Sequence, residues 1–244
     1  MFPQAPRRLV AEFIGAFALT FVGAGAIITI SQAQLQGYGL IGVAAAHGLV
    51  IGVMVCAFGH VSGGHFNPAV STGMLITRRM TPTEFVGYVV AQCAGGIVAA
   101  LILAGLYDAA AKNATHLGVP ALGAGTSAGQ GLVIEGILTF FLVIVIFGVA
   151  VDPKGSFNAV AGLPIGFVIF FDILMGGPLT GAAMNPARWI GPALVDGYWS
   201  DGWIYIVGPI VGGAEAAHVY EYVIVPDKPP AAAVEPDEVV RKPS

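Results

Sequence analysis

Ser62-Gly63-Gly64-His65-Phe66-Asn67-Pro68-Ala69-Val70 and, later in the chain, Asn185-Pro186-Ala187-Arg188 carry the same Asn-Pro-Ala triplet. Proline suits the first turn of a helix, where its missing N–H has no intrahelical partner to lose, and asparagine is a good N-cap. Each triplet therefore predicts a helix start. The apolar segments that follow, about 67–77 and 185–195, fall well short of the ~20 residues that a bilayer crossing needs. They read as half-helices beginning in mid-membrane. Non-helical backbone survives at that depth only where it lines a cavity or is buried in protein, so the pair points to a pore.

Outward from the triplets, six longer apolar runs lie at roughly 8–30, 38–59, 83–107, 130–151, 158–176 and 202–225. They predict an all-α membrane protein with six transmembrane helices and two re-entrant half-helices. Composition agrees: 56% of the 244 residues are apolar and only 10% charged, where soluble domains carry about 25% charged. Mean hydropathy is +0.82. The 35 glycines suit close helix approach in lipid. The formal net charge of −4 says little of partners, since much of it follows Pro226. No basic stripe suggests nucleic acid. Cys56 and Cys93 lie inside apolar runs and read as core packing rather than a disulfide. The first run follows Arg7 and Arg8 as a signal peptide would, but it continues from Leu9 to Ile30 without a small-residue cleavage pattern, and reads as a retained span.

Arg7, Arg8, Arg78, Arg79, Lys154, Lys228, Arg241 and Lys242 fall on one side of a six-span arrangement, with Lys112 alone opposite. The positive-inside rule puts that side, and both termini, in the cytoplasm; the cell's plasma (inner) membrane is the expected location. The two halves repeat. Glu12 in Ala11-Glu12-Phe13 opens the first span and Glu135 in Ile134-Glu135-Gly136 opens the fourth. Three spans per half set the halves in opposite orientation, an inverted repeat with its site at the midplane. The expected channel domain covers 1–226, with repeats at about 7–107 and 130–225, and 227–244 reads as a disordered cytoplasmic tail rich in proline and acid.

Half-helices meeting end to end would bring two positive dipole ends to mid-pore, each worth roughly half a charge. Asn67 and Asn185 would donate amide hydrogens to a passing water while their carbonyls are held by the opposed loop. Arg188 would add a fixed cation that repels cations and donates to oxygens in transit; the plain alternative is an arginine snorkelling to the interface. His60 and His65 read as positioning residues of the first re-entrant loop rather than metal ligands. No nucleophile elbow, phosphate-binding glycine loop or metal-spaced His/Cys set suggests an enzyme or a cofactor.

The two quoted stretches resemble the paired signatures of the aquaporin (major intrinsic protein) family, and Ala11-Glu12-Phe13-Ile14-Gly15 resembles its first-helix motif. The resemblance runs from about residue 7 to 225. It implies a passive channel for water, extending to small neutral solutes such as ammonia or hydrogen peroxide, assembled as a homotetramer in lipid. It implies that Glu12 and Glu135 are structural acids accepting hydrogen bonds from re-entrant backbone. It maps the family's narrowest ring onto His47, Ile173, Ala182 and Arg188, a set similar to that of plant tonoplast-type aquaporins. His116 resembles an extra filter histidine of that subgroup; a solvated loop histidine is the other reading. Glycerol channels of the family carry an acid after the arginine, where this chain has Trp189; the departure speaks for a water-type channel, and a glycerol or urea facilitator is the alternative. An ion-coupled secondary transporter, with Asp172 at its coupling site, is the reading from a different class. The glycine pairs Gly48/Gly52 and Gly162/Gly166 offer small faces for packing between subunits.

Overall fold

A computed structural model describes residues 4–32, 39–155 and 158–225. The tail expected at 227–244 lies outside the described residues. Among those described, every regular element is a helix: α1 Gln4–Gln32, α2 Gly39–Ser62, α3 Pro68–Ile76, α4 Pro82–Leu106, α5 Ala109–Thr115, α6 Ala128–Ile146, α7 Gly162–Thr180, α8 Pro186–Asp196 and α9 Ile204–Val219. The helices α1, α2, α4, α6 (with a π-helical extension to Val151) and α7 are long and apolar enough to cross a membrane. The sixth expected span is α9, continued through a π turn over Tyr220–Ile224.

The chain marks these starts with capping chemistry. Thr81 and Glu84 form a reciprocal capping box ahead of α4, with Pro82 in its first turn, and Ser127 and Gln130 do the same for α6. The helix α7 begins later and ends later than the run at 158–176. Asn158–Val160 is a separate 3₁₀ turn, and the Gly176-Gly177-Pro178 stretch stays helical, with Leu138 and Leu40 packed directly on its two glycines. The short helix α5 was unexpected.

Within the bundle α1 packs on α2 and α4, α6 on α7 and α9, and α2 on α7. Each half-helix lies mainly against the last long helix of the other repeat: α3 against α9, and α8 against α4. This exchange ties the inverted halves into one body. The α2–α7 seam corrects one expectation. A Cβ on Gly48 would stand 2.5 Å from the Gly166 carbonyl oxygen, and one on Gly52 2.9 Å from that of Gly162. These four glycines let two helices of the same subunit touch, so their small faces are consumed inside the subunit.

Side chains such as Leu49, Val90, Leu101 and Phe167 point outward and are more than half exposed. That surface suits lipid rather than water. Cys56 is exposed on it and Cys93 is only partly covered, so neither is the core residue expected; both are free thiols. Glu215 is exposed along α9, and His218 is exposed beside the Tyr222 ring at 4.8 Å. Asp172 faces inward instead, 1% exposed, with Oδ2 lacking any partner in the protein.

Candidate functional site

The loops entering α3 and α8 share one backbone course. Gly63, Gly64 and Phe66 have φ of 89°, 64° and 51°; Gly181, Ala182 and Met184 have 80°, 47° and 51°. Left-handed φ at a non-glycine residue costs on the order of 1–2 kcal/mol, and Phe66, Ala182 and Met184 each carry that cost. The two glutamates hold these turns. Glu12 Oε1 accepts from Ser62 Oγ (2.6 Å) and the His65 N–H (3.0 Å), while Oε2 accepts from the Phe66 N–H (2.6 Å) and Gln92 Nε2 (2.8 Å). Glu135 Oε1 accepts from Thr180 Oγ1 (2.7 Å) and the Ala183 N–H (3.0 Å), and Oε2 from the Met184 N–H (2.8 Å). Both carboxyl groups are wholly buried. Two tyrosines complete the symmetry: Tyr88 donates to the Ser62 carbonyl at 2.7 Å and Tyr205 to the Thr180 carbonyl at 2.9 Å.

Asn67 and Asn185 cap α3 and α8, and they meet across the midplane. Their carbonyls, contrary to expectation, are held by their own helices. Asn67 Oδ1 accepts from the Ala69 N–H at 2.8 Å, and Asn185 Oδ1 from those of Ala187 (3.0 Å) and Arg188 (3.2 Å). It is the amides that cross: Asn67 Nδ2 donates to the Met184 carbonyl at 2.8 Å, and Asn185 Nδ2 to that of Phe66 at 2.9 Å. An amide nitrogen carries two hydrogens, so each asparagine keeps one for the space beside it. Pro68 and Pro186 occupy the first helical turns, with Ala69 and Ala187 fully buried behind them.

One narrow cavity runs past both asparagines, and His47, Ile173, Ala182 and Arg188 line it as well. The four residues come from α2, α7, the second loop and α8. Arg188 is 3% exposed. Its Nε donates to His47 Nε2 at 3.3 Å and its Nη2 to the Gly118 carbonyl at 3.0 Å, leaving Nη1 without a protein partner. His47 Nδ1 lies 2.8 Å from the Val43 carbonyl. A carbonyl only accepts, so the proton sits on Nδ1, and the Nε2 lone pair is what Arg188 uses. Gly23 of α1 leaves room for the imidazole where any side chain would collide with it. Apart from His65 and the loop backbone the rest of the lining is apolar, Ile51, Leu142, Ile146 and Ile169 among it.

Residues 2–220 match the family described as Major intrinsic protein. The chain belongs to that family. Aquaporin TIP4-4 of Zea mays is 43% identical to it over 219 residues, covering 88% of this chain and 85% of the relative. Nodulin-26 of Glycine max is 39% identical over 230 residues, covering 91% and 80%. Among solved structures, an aquaglyceroporin from Plasmodium falciparum superposes with a TM-score of 0.81 at 26% identity, covering 91% of this chain and 98% of that one. A major intrinsic protein is an integral membrane protein and not an enzyme, in accord with the fold.

Not every residue singled out belongs to this family member's cavity. His116 does not line it: its ring, half exposed, stacks on Tyr198 (4.1 Å) and its Nδ1 lies 3.3 Å from Asp196 Oδ2. The group that reaches Arg188 from that loop is the Gly118 carbonyl, two residues on, and a backbone oxygen carries no signature in sequence. His65 does line the cavity, with Nδ1 3.0 Å from Ser71 Oγ, whereas His60 is exposed. Asp172 is outside it, and among the described residues no group of three His, Cys, Asp or Glu gathers that could hold a metal ion. Trp189 is fully buried, stacked at 5.5 Å and 8° on Tyr205 and edge-on to Trp199 at 5.4 Å. Ser62, Thr180, Gln92 and the paired tyrosines also escaped the sequence reading, though Ser62 and Thr180 occupy equivalent places two residues ahead of Gly64 and Ala182.

Proposed function

We propose that this chain is a passive channel conducting water, together with small neutral solutes such as ammonia and hydrogen peroxide, while excluding protons and ions. The observation that carries the reading is the single cavity lined by both capping asparagines and by Arg188. Two helix N-termini converge on it, each worth roughly half a positive charge. A water passing between Asn67 and Asn185 accepts from the free amide hydrogens of both. Held that way its lone pairs are occupied, so it accepts from neither neighbour in the file, and proton hopping is interrupted.

The constriction we assign to His47, Ile173, Ala182 and Arg188. Arg188 Nη1, unpartnered in the protein, is the donor available to a solute oxygen, and its charge opposes cations. Ile173 offers no hydrogen bond, and Ala182 little bulk. This ring favours small neutral molecules beyond water, while Trp189 leaves no acid next to Arg188 for glycerol. Glu12 and Glu135 act as structural acids behind the loops. The channel domain we take as 1–226, with repeats at about 7–107 and 130–225. Arg8, Arg79 and Lys154 lie toward one end of the bundle and support cytoplasmic termini. The TIP-type names of the relatives give the plasma membrane expected from sequence no support. A homotetramer with one pore per subunit rests on the family resemblance and the outward apolar faces of α6 and α7.

Stopped-flow shrinkage of proteoliposomes tests the function directly, with water, glycerol and ammonia gradients and an internal pH dye. Water flux well above empty liposomes, with no saturation and no proton current, is expected. Glycerol flux rivalling water would make the chain a glycerol facilitator. Solute-driven proton uptake would make it a coupled transporter.

A further inference from the structure

We infer that Trp189 is a positioning residue for solute selection, acting on Arg188 through the loop between α5 and α6; the inference rests on the channel reading above. Arg188 and Trp189 are neighbours on α8, and they grip the same loop at points two residues apart. Arg188 Nη2 donates to the Gly118 carbonyl at 3.0 Å, and Trp189 Nε1 donates to the Pro120 carbonyl at 3.1 Å. The first contact orients the guanidinium that lines the cavity. The second fixes the strand of loop that presents its acceptor.

The indole is built in for this. It is fully buried, sandwiched by Tyr205 and the edge of Trp199, and Gly202 has no room for a Cβ against its ring. Val119, between the two gripped carbonyls, packs in the same cluster with Trp189, Ala183 and Ile204. On its other side the loop has little freedom. Gly118 has φ of 73°, and a Cβ there would stand 2.8 Å from that of Ala24 on α1. Pro120 lies against Gly181, and the Gly123 N–H donates to the Leu179 carbonyl at 2.8 Å. Residues 118–123 are thus held at Gly118, Pro120 and Gly123, with the Val119 N–H donating to the His116 carbonyl at 2.9 Å, and the indole N–H is the side-chain hydrogen bond that fixes the loop just beyond the Arg188 acceptor. Proline has no N–H of its own, which leaves its carbonyl as the one polar backbone group through which residue 120 can be fixed.

Without that bond the Gly118 carbonyl keeps only the Val119–His116 hydrogen bond and the Ala24 contact to set its direction, and the Nη2 end of the guanidinium loses a fixed acceptor while Nε stays on His47. Arg188 then no longer narrows the cavity at one defined place, and larger neutral solutes gain relative to water.

The test is the glycerol-to-water permeability ratio in proteoliposomes for Trp189→Phe, which keeps an aromatic ring on Tyr205 but has no N–H. A rise of about threefold or more is expected, within what one lost hydrogen bond accounts for. The same change is then made in an Arg188→Val background. If Trp189 works through Arg188, the two effects are not additive, and Trp189→Phe moves the ratio there by less than about half as much. A sulfur isostere of the indole at position 189, benzothienylalanine, keeps the ring volume and gives the same readout where phenylalanine fails to fold. An unchanged ratio in both substitutions, or an equal change with and without Arg188, overturns the inference while the channel reading stands. Unmodified protein no more permeable to water than empty liposomes overturns both.

Discussion

Glu135→Gln separates a structural acid from a filter residue. Glu135 receives three hydrogen bonds, from Thr180 Oγ1, the Ala183 N–H and the Met184 N–H. Glutamine keeps one oxygen, which takes over the pair on Oε1, and its NH₂ then faces the Met184 N–H. That donor is buried, since Met184 is 3% exposed, and leaving it unpaired costs about 1–3 kcal/mol. The two surviving bonds fall from carboxylate to neutral-amide strength, about 1 kcal/mol each. The sum is about 3–5 kcal/mol, a large share of the roughly 5–15 kcal/mol that stabilises a fold. At about 2–4 °C per kcal/mol for a chain of this size, the expected fall in Tm is about 6–20 °C. Thermal unfolding in mild detergent, read by tryptophan fluorescence, measures it. Solute preference of whatever folded protein remains should be that of the parent, because Glu135 does not line the cavity. A Tm within about 2 °C of the parent, with an altered ammonia-to-water ratio, would refute the reasoning.

Arg188→Val should leave Tm nearly unchanged yet raise proton or cation leak in dye-loaded proteoliposomes, because it deletes the cation lining the constriction; leak equal to the parent's would leave ion exclusion to the helix ends alone. Ile173→His should restore a donor to the ring and cut ammonia flux severalfold while sparing water, and parental ammonia flux would mean that Ile173 does not set solute choice. Gly162→Val should cost about 3 kcal/mol or more, since a Cβ there meets the Gly52 carbonyl and Cys56 Sγ of the same subunit; a stable monomer that merely fails to assemble would return these glycines to the subunit interface.

The triplets at 67–69 and 185–187 were legible because Asn-Pro at a helix start is a local rule, needing no knowledge of the rest of the chain. Glu12 and Glu135 were legible for a second local reason: an acid in an apolar run must be matched by donors. What sequence could not convey was which partner answers. The cross-donation from Asn67 and Asn185 ends on the carbonyls of Met184 and Phe66, and backbone oxygens are the same at every residue. His116 drew notice as a candidate filter residue because a histidine has chemistry visible in sequence, whereas Gly118, which accepts from Arg188, offers only its carbonyl. Gly48, Gly52, Gly162 and Gly166 advertised close approach correctly but not the helix approached. Their spacing is equally suited to a neighbour in another subunit, and only the α2–α7 seam assigns it. Trp189 was visible as an oddity beside Arg188. Its meaning depended on a loop whose course no periodicity records.

The crossing of the asparagine amides also bears on why the chain carries two copies of the motif rather than one. A half-helix ending at mid-membrane leaves backbone donors and acceptors that lipid cannot satisfy. Within its own repeat, each loop finds acceptors for its N–H groups in one glutamate and one hydroxyl, Ser62 or Thr180. Its last carbonyl, that of Phe66 or Met184, finds its donor only in the asparagine of the other repeat. Each asparagine in turn spends one amide hydrogen there and so fixes where the other points. Neither half closes its hydrogen bonds alone, and closing them by reciprocal exchange is what aims the free amide hydrogens at the cavity. A lesion at Asn67 would therefore disorder the loop around Met184, some 117 residues away, and alter the Arg188 side of the channel before the Glu12 side. The inverted repeat thus couples the stability of the re-entrant loops to the geometry that selects solutes, so that what holds the pore together is also what directs its donors.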